Sequence, residues 1–521
     1  MKNDARAIKR VKRLCRSLMA TTCLAAVGTV YVGSVAYADD LSDLRAEMRA
    51  MAKRMEKLEA DKRELEKRNK ERAAAGRSDP NAARVASSGD PTINPRWPLP
   101  SVRDPGYFDI PGTGTSMKIG GSIRVDAIRG INGLGLGGIP GTDFRLISLD
   151  GSNNARRGGS IDFSARNTQI TLGTITATPI GDLKTFTSMD FNANNNGSTV
   201  QTNSYSPRLR EAFGQLDSGA NQLLVGQTWS TFMDLIAYPE TLDPNGPVGG
   251  IYVRQPMVRY TRNLGGGSNF ILAVENANSD FEGAVQQTIL GSNLPSLNQT
   301  TPYPDVVAKY TYDGGWGHFA VAGMVRYISL NTGDVGLAGG TNLNPATFVG
   351  TVANPLVPGT KTTVAEAAMV ALSVKTFGKD SINMQVSGGS GLGRYQVGDL
   401  DNRTAASLQF CNITRTIVCG LENTRQVGGV ASYQHYWADN LRSNIAGGYF
   451  RYLNTEFPDN TANSVKDMTS VHANLIWTPV ERVSLGVEYI WGKLNMLQQP
   501  TPGVGPSGVG QRIGTNLKVF F

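Results

Sequence analysis

The sequence predicts an all-β transmembrane barrel of about 16 antiparallel strands, preceded by an N-terminal α-helical coiled coil. Three observations carry that prediction. From Met117 to Phe521 apolar and polar residues alternate in segment after segment, the period of a strand with one apolar and one wet face. The breaks between these segments are alternately short and long. No apolar run of about 18 residues follows the first segment, so only a closed sheet could cross a membrane there.

The first 38 residues hold Lys2, Arg6, Lys9, Arg10, Lys12, Arg13 and Arg16 against a single acid, Asp4, and continue as an apolar run from Leu18 to Val35 that ends in Ala36-Tyr37-Ala38. That is the three-part pattern of a cleaved export signal, with the mature chain expected to begin at Asp39. Removing this net +6 from the formal +8 leaves the remainder at +2, which takes away the main electrostatic support for nucleic-acid binding. Cys15 and Cys23 leave with the signal, and Cys411 and Cys419 remain eight residues apart. In an oxidising compartment a disulfide closing a small loop is their simplest use.

Residues 39–75 carry Leu41, Leu44, Met48, Met51, Met55, Leu58 and Leu65 at alternating steps of three and four, with Lys62 and Asn69 in the same series and mixed charges between. This is a heptad seam, and so narrow a stripe implies self-association in the periplasm. Methionine at three seam positions leaves dimer against trimer open. Residues 76–115, rich in Gly, Ser and Pro, read as a linker.

Residues 116–521 form the expected barrel. Ile123 and Val125 alternate with Arg124 and Asp126, and Val483, Leu485, Val487, Tyr489 and Trp491 alternate with Ser484 and Glu488. Short turns are read at 179–182, 218–220, 263–267, 313–315, 378–380, 438–440 and 478–480, and long loops near 130–160, 194–207, 229–253, 278–302, 330–361, 393–424, 454–466 and 495–509. Seven turns and eight loops connect sixteen strands, with both barrel ends on the periplasmic side. The terminal Val519-Phe520-Phe521 resembles the sorting signal of outer-membrane barrels.

The third long loop stands apart. Trp229, Phe232, Met233, Leu235, Ile236 and Tyr238 make it too apolar for a solvated loop, and Asp234, Glu240 and Asp243 too acidic for a core. It is expected to fold inward and narrow the lumen, with its carboxylates facing water. Strand parity then aims Arg124, Arg208, Arg210, Arg259, Lys309, Arg326 and Lys375 at the lumen, opposed by fewer inward acids (Asp126, Glu275, Glu488). Such a basic wall favours small anions, and guanidinium forks favour carboxylates. The plainer reading is that these cations only pair with the acidic loop and hold it.

Other signals weigh less. Gly133 to Gly138 matches G-x-G-x-x-G but opens no helix, so no nucleotide cofactor is expected. His318, His435 and His472 lie on separate strands, and a metal site would need them to converge. No nucleophile motif supports an enzyme inside the barrel.

The segments GQTWSTFMD (226–234), PETLDPNGPVG (239–249) and RQPMVRYT (254–261), together with the leader, coiled coil and barrel, resemble the DcaP-like outer-membrane porins over nearly the whole mature chain. The resemblance implies a homotrimer with its coiled coils bundled below three barrels, and uptake of dicarboxylates and similar small anions. Arg254 and Arg259 flank the loop, and their pore role is inferred from parity and nearness. Outer-membrane lipid and lipopolysaccharide are the expected surroundings. The rival expectation is a general diffusion porin or a structural envelope protein with little selectivity.

Overall fold

The computed structural model describes residues 106–521 except 135–140, 156–157, 194–204, 279–300, 331–335, 338–340, 343–359, 398–404, 412–417, 454–464 and 501. The expected signal, coiled coil and most of the linker lie outside the described residues. Sixteen strands close into one antiparallel barrel. They are β1 (Thr115–Asn132), β2 (Gln169–Thr178), β3 (Gly181–Asp190), β4 (Arg208–Ser218), β5 (Asn221–Trp229), β6 (Arg254–Gly265), β7 (Ser268–Glu275) and β8 (Asp305–Gly314). The circuit continues through β9 (Gly317–Leu330), β10 (Lys361–Lys375), β11 (Ser381–Ser390), β12 (Arg425–Ala438), β13 (Leu441–Tyr452), β14 (Val465–Val480), β15 (Val483–Met496) and β16 (Ser507–Phe520).

Closure is made by β1, which pairs with β2 over Thr115–Ser122 and with β16 over Ser122–Asn132. With every strand paired on both sides, the ladder leaves no open edge to face hydrocarbon. Below the end of β16 the seam is filled by a short strand, Phe108–Ile110, that pairs back onto Thr115–Met117. The last residues of the expected linker therefore belong to the wall.

Short turns alternate with long loops as the sequence requires, with one displacement. Strand β14 runs through Pro479 to Val480, and the chain turns at Glu481 and Arg482, where Arg482 takes φ 70°. Proline, read as a strand terminator, is tolerated because it falls where the ladder between Trp477 and Val480 is already irregular, so no donor is missed.

The outward faces carry Ile123, Val125, Val258, Leu272, Val325, Val370, Val487 and Leu517, all exposed, as a lipid-facing wall demands. Trp316, Phe377, Trp437 and Trp477 stand exposed near the short turns, the position of an interfacial aromatic girdle. The inward faces depart from expectation. On β9 and β10 they show Ala320, Ala322, Met324, Ala367, Met369 and Ala371, all buried. These small or pliant side chains make room for Phe232, Met233, Ala237 and Ile251 of the third loop, which pack on them as one apolar core inside the barrel. A second inner core lies on β13 to β15, where Phe144 and Ile147 of the first long loop and Val248 of the third pack on Phe450, Met468 and Ile490.

Candidate functional site, the constriction of the lumen

The third loop crosses the lumen because its polar groups find fixed partners on the wall. Asp234 accepts from the Ile236 and Ala237 amides at 3.1 and 3.0 Å, turning the chain on itself. Its carboxylate also meets Lys309 Nζ of β8 at 2.9 Å and His318 Nε2 of β9 at 3.0 Å, while His318 Nδ1 faces Asp313 at 3.1 Å. Glu240 receives a two-pronged contact from Arg442 of β13, at 2.8 and 2.6 Å, and a further bond from Gln434 at 2.6 Å. Asp243 accepts from the Thr142 amide at 2.9 Å and from Arg512 of β16 at 3.2 Å. From the wall, the buried Glu488 carboxylate accepts the Leu242 and Asp243 amides at 2.7 and 3.0 Å.

These contacts correct two expectations. The loop's three carboxylates do not face open water; they are turned into the barrel wall and bind it. Inward acids are also more numerous than parity in the sequence suggested, because Asp190, Asp217 and Asp305 join Asp126, Glu275 and Glu488. A buried carboxylate is tolerated only with partners, and each of these has them.

Burial alone would raise the Asp234 carboxyl, but Lys309 and His318 outweigh it and hold it well below the usual carboxylate range. A depressed pKa contributes stability that is complete above the unfolded value near 4 and is lost only as pH falls through the folded value. The anchor therefore persists in mild acid. Single-channel conductance is expected to be equal at pH 7 and pH 5; a step at pH 5 that Asp234→Asn abolishes would show the carboxylate titrating there instead.

The predicted cations part into four groups. Lys309 and Arg326 are anchors. Lys309 also donates to the Met233 carbonyl at 2.8 Å, and Arg326, 1% exposed, contacts Asp305 at 3.2 Å and the Asn278 carbonyl at 2.7 Å. Lys375 keeps inward parity but lies at the short-turn rim, where it donates to the Gly315 carbonyl at 3.3 Å. Arg259 faces inward on β6 opposite Leu224 and Ala273.

The remaining three, Arg124, Arg208 and Arg210, gather with Arg254 on the other side of the lumen. An open cavity there is bounded by Arg124, Gln169, Arg210 and Lys518 of the wall and by Trp229, Tyr238, Thr241 and Tyr252 of the loop and its hinges. Arg124 contacts Asp126 at 2.6 Å and donates to the Leu242 carbonyl at 2.6 Å. Arg208 and Arg210 share one fully buried carboxylate, Asp190, each at 2.7 Å. Arg254 stacks over Trp229 at 4.6 Å, and one of its η-nitrogens is buried with no hydrogen-bond partner among the described residues. Parity in the sequence missed Lys518, which lies between Leu517 and Val519, and Arg442 and Arg512, each with one apolar neighbour, Leu441 and Ile513.

A second inward segment went unread. Gly391–Val397, at the start of the sixth long loop, enters the lumen and pairs with the third loop: the Gly249 amide donates to Val397 O at 2.7 Å, Val397 N to Gly250 O at 2.8 Å, and Tyr252 N to Tyr395 O at 2.9 Å. Further along that loop, Cys411 and Cys419 are joined as a disulfide between the strands Ala406–Phe410 and Val418–Asn423. The three histidines do not converge: His318 meets Asp234, His435 meets Asp380 and His472 meets Glu488.

The family model described as a porin subfamily matches residues 103–509. Porin Omp2b of Brucella suis is 31% identical over 234 residues, 43% of this chain and 55% of that protein. Porin Omp2b of Brucella abortus (strain 2308) is also 31% identical over 234 residues, 43% of this chain and 54% of its own length. The chain thus spans about half the length of the curated relatives it matches. The outer membrane channel DcaP of Acinetobacter baumannii has the same fold, with TM-score 0.58 and 19% identity over 80% of this chain and 99% of that one. A closed barrel with lipid-facing strands, an inward loop and a match across most of its length identify this chain as a member of the porin subfamily.

Proposed function

We propose that this channel passes small anions, dicarboxylates among them, through the gap between the third loop and the β16, β1, β2, β4 and β5 wall. The observation that carries this reading is the asymmetry of charge. The loop spends Asp234 and Glu240 on the opposite wall and Asp243 on Arg512 of β16, while among the described residues five cations (Arg124, Arg208, Arg210, Arg254, Lys518) stand around the gap against three carboxylates (Asp126, Asp190, Glu211). In a narrow space of low dielectric a surplus of that size concentrates anions. Guanidinium forks suit carboxylates better than halide ions, which favours organic acids.

The assembly that goes with this reading is a homotrimer of barrels, held by their walls and by the heptad segment at 39–75 on the periplasmic side, with residues 1–38 removed on export. The second reading, a general diffusion porin, is favoured by the pairing of Arg124, Arg208 and Arg210 with wall carboxylates. Reversal potential in a planar bilayer under a salt gradient, followed by titration with a small dicarboxylate, separates the two. Anion preference with saturable block is the expected result. Cation preference, or an ohmic pore that the dicarboxylate leaves unblocked, would leave only the general porin.

A further inference from the structure

We infer that Gly391–Val397 of the sixth loop is a strap that closes the acid-bearing half of the lumen, and that it thereby sets the selectivity of the channel by leaving only the cationic gap open. The strap forms an antiparallel bridge with the third loop at Ile251 and Gln396, with the amide bonds of Tyr252 and Val397 flanking that pair. It is held from the wall on several sides. Tyr395 donates its hydroxyl to Asp305 at 2.8 Å, Arg326 donates to the Gly391 carbonyl, Gln396 donates to Ser387 at 2.8 Å, and the Gly393 amide donates to Gln426 at 2.9 Å. Leu392, Tyr395, Gln396 and Val397 are each buried within the barrel, and the Tyr395 ring meets Phe232 of the third loop edge-on.

What the strap covers gives it a role beyond packing. Behind it the wall carries Glu275 and Asp305, both buried, with Arg326 and Arg259 as nearby wall cations and Arg394 supplied by the strap itself, 3.3 Å from Asp305. Withdrawing the strap removes Arg394 and, among the described residues, leaves Glu275 and Asp305 with Arg326 and Arg259 in place of three guanidinium groups. A route opened there would lack the cationic surplus of the gap on the other side and so would dilute its anion preference. The same backbone bridge positions Tyr252, whose ring lies against Trp229 and Tyr238 at the gap, so the strap also fixes the inner edge of the anion route.

Two variants test this in planar bilayers, with folding checked by heat-dependent electrophoretic mobility. The first, Tyr395→Ala with Val397→Pro, removes the ring and the amide that donates to Gly250. It is expected to raise single-channel conductance about twofold and to move the reversal potential toward that of an unselective pore. The second, Ile251→Cys with Gln396→Cys, uses a non-hydrogen-bonded antiparallel pair, whose close spacing suits a disulfide. This cross-link is expected to form and to leave conductance and reversal potential unchanged. A folded first variant with unaltered conductance, or a cross-link that fails to form or that lowers conductance, would overturn the strap. If the first variant does not fold, the cross-link decides. The conductance readout concerns the strap alone, whereas the shift in reversal potential rests also on the anion preference proposed above.

Discussion

Arg254→Ala is expected to reduce the anion preference of the channel about fivefold, while Lys375→Ala leaves it unchanged. The two side chains are alike in the sequence, a cation on or beside an alternating strand. Their surroundings differ. Arg254 lies over Trp229 at the edge of the gap, beside Arg208 and Arg210, with no carboxylate pairing it among the described residues. At an effective dielectric of about 40 and a distance of about 8 Å, one unit charge contributes about 1 kcal/mol to a passing ion, which is about a factor of five in relative permeability. Lys375 stands at the turn rim in contact with a backbone carbonyl, where salt screens its field within about 10 Å. Reversal potentials of both variants at one salt gradient are the measurement. Equal shifts in the two, or none in Arg254→Ala, would mean that the gap is not where ions are selected.

How much of this was legible follows from what imposes each pattern. Lipid imposes a strict period of two on the outer face, so Ile123, Val125, Val325 and Val487 could be placed from the sequence alone. No such rule governs the inner face. Arg124 and Arg326 share inward parity and both hold loop carbonyls, yet Arg124 borders the gap and Arg326 lies behind the sixth loop. Parity gives the direction of a side chain and not its partner, and partners come from loops whose paths are non-local. The strap had a signal of the same kind that marked the third loop, since Leu392, Tyr395 and Val397 are apolar residues in a glycine-rich connection. The wall had another. Gly428-Gly429 and Gly447-Gly448 interrupt β12 and β13, and a Cβ at Gly428 or Gly448 would come within 2.7 Å of Gly249 O or 2.2 Å of Val248 O. Glycine inside a strand often marks close approach of another backbone, and here it marks where the third loop lies flat on the wall.

Glu488→Ala is expected to release the tip of the third loop, with a rise in conductance and in open-channel noise. Glu488 is 1% exposed and accepts four contacts: the Leu242 and Asp243 amides, Asn474 at 3.0 Å and His472 at 3.4 Å. Truncation leaves two buried backbone donors unsatisfied, at about 1–3 kcal/mol each, so the tip loses roughly 2–6 kcal/mol of anchoring. What remains is the Arg124 bond to the Leu242 carbonyl and the contacts of Asp243 with Thr142 and Arg512. Those bonds hold the tip from the β1 and β16 side, so a tip freed from β15 swings toward Arg124 and intrudes on the cationic gap, giving flicker as well as added conductance behind it. Glu488→Gln keeps one carbonyl acceptor and loses the charge, and is expected to fall between the two. The wall itself keeps its ladder in either variant, and thermal unfolding of the barrel should move far less than the channel properties. A Glu488→Ala channel with wild-type conductance and noise would mean that Arg124, Thr142 and Arg512 suffice, and that the carboxylate serves only the folding of the loop.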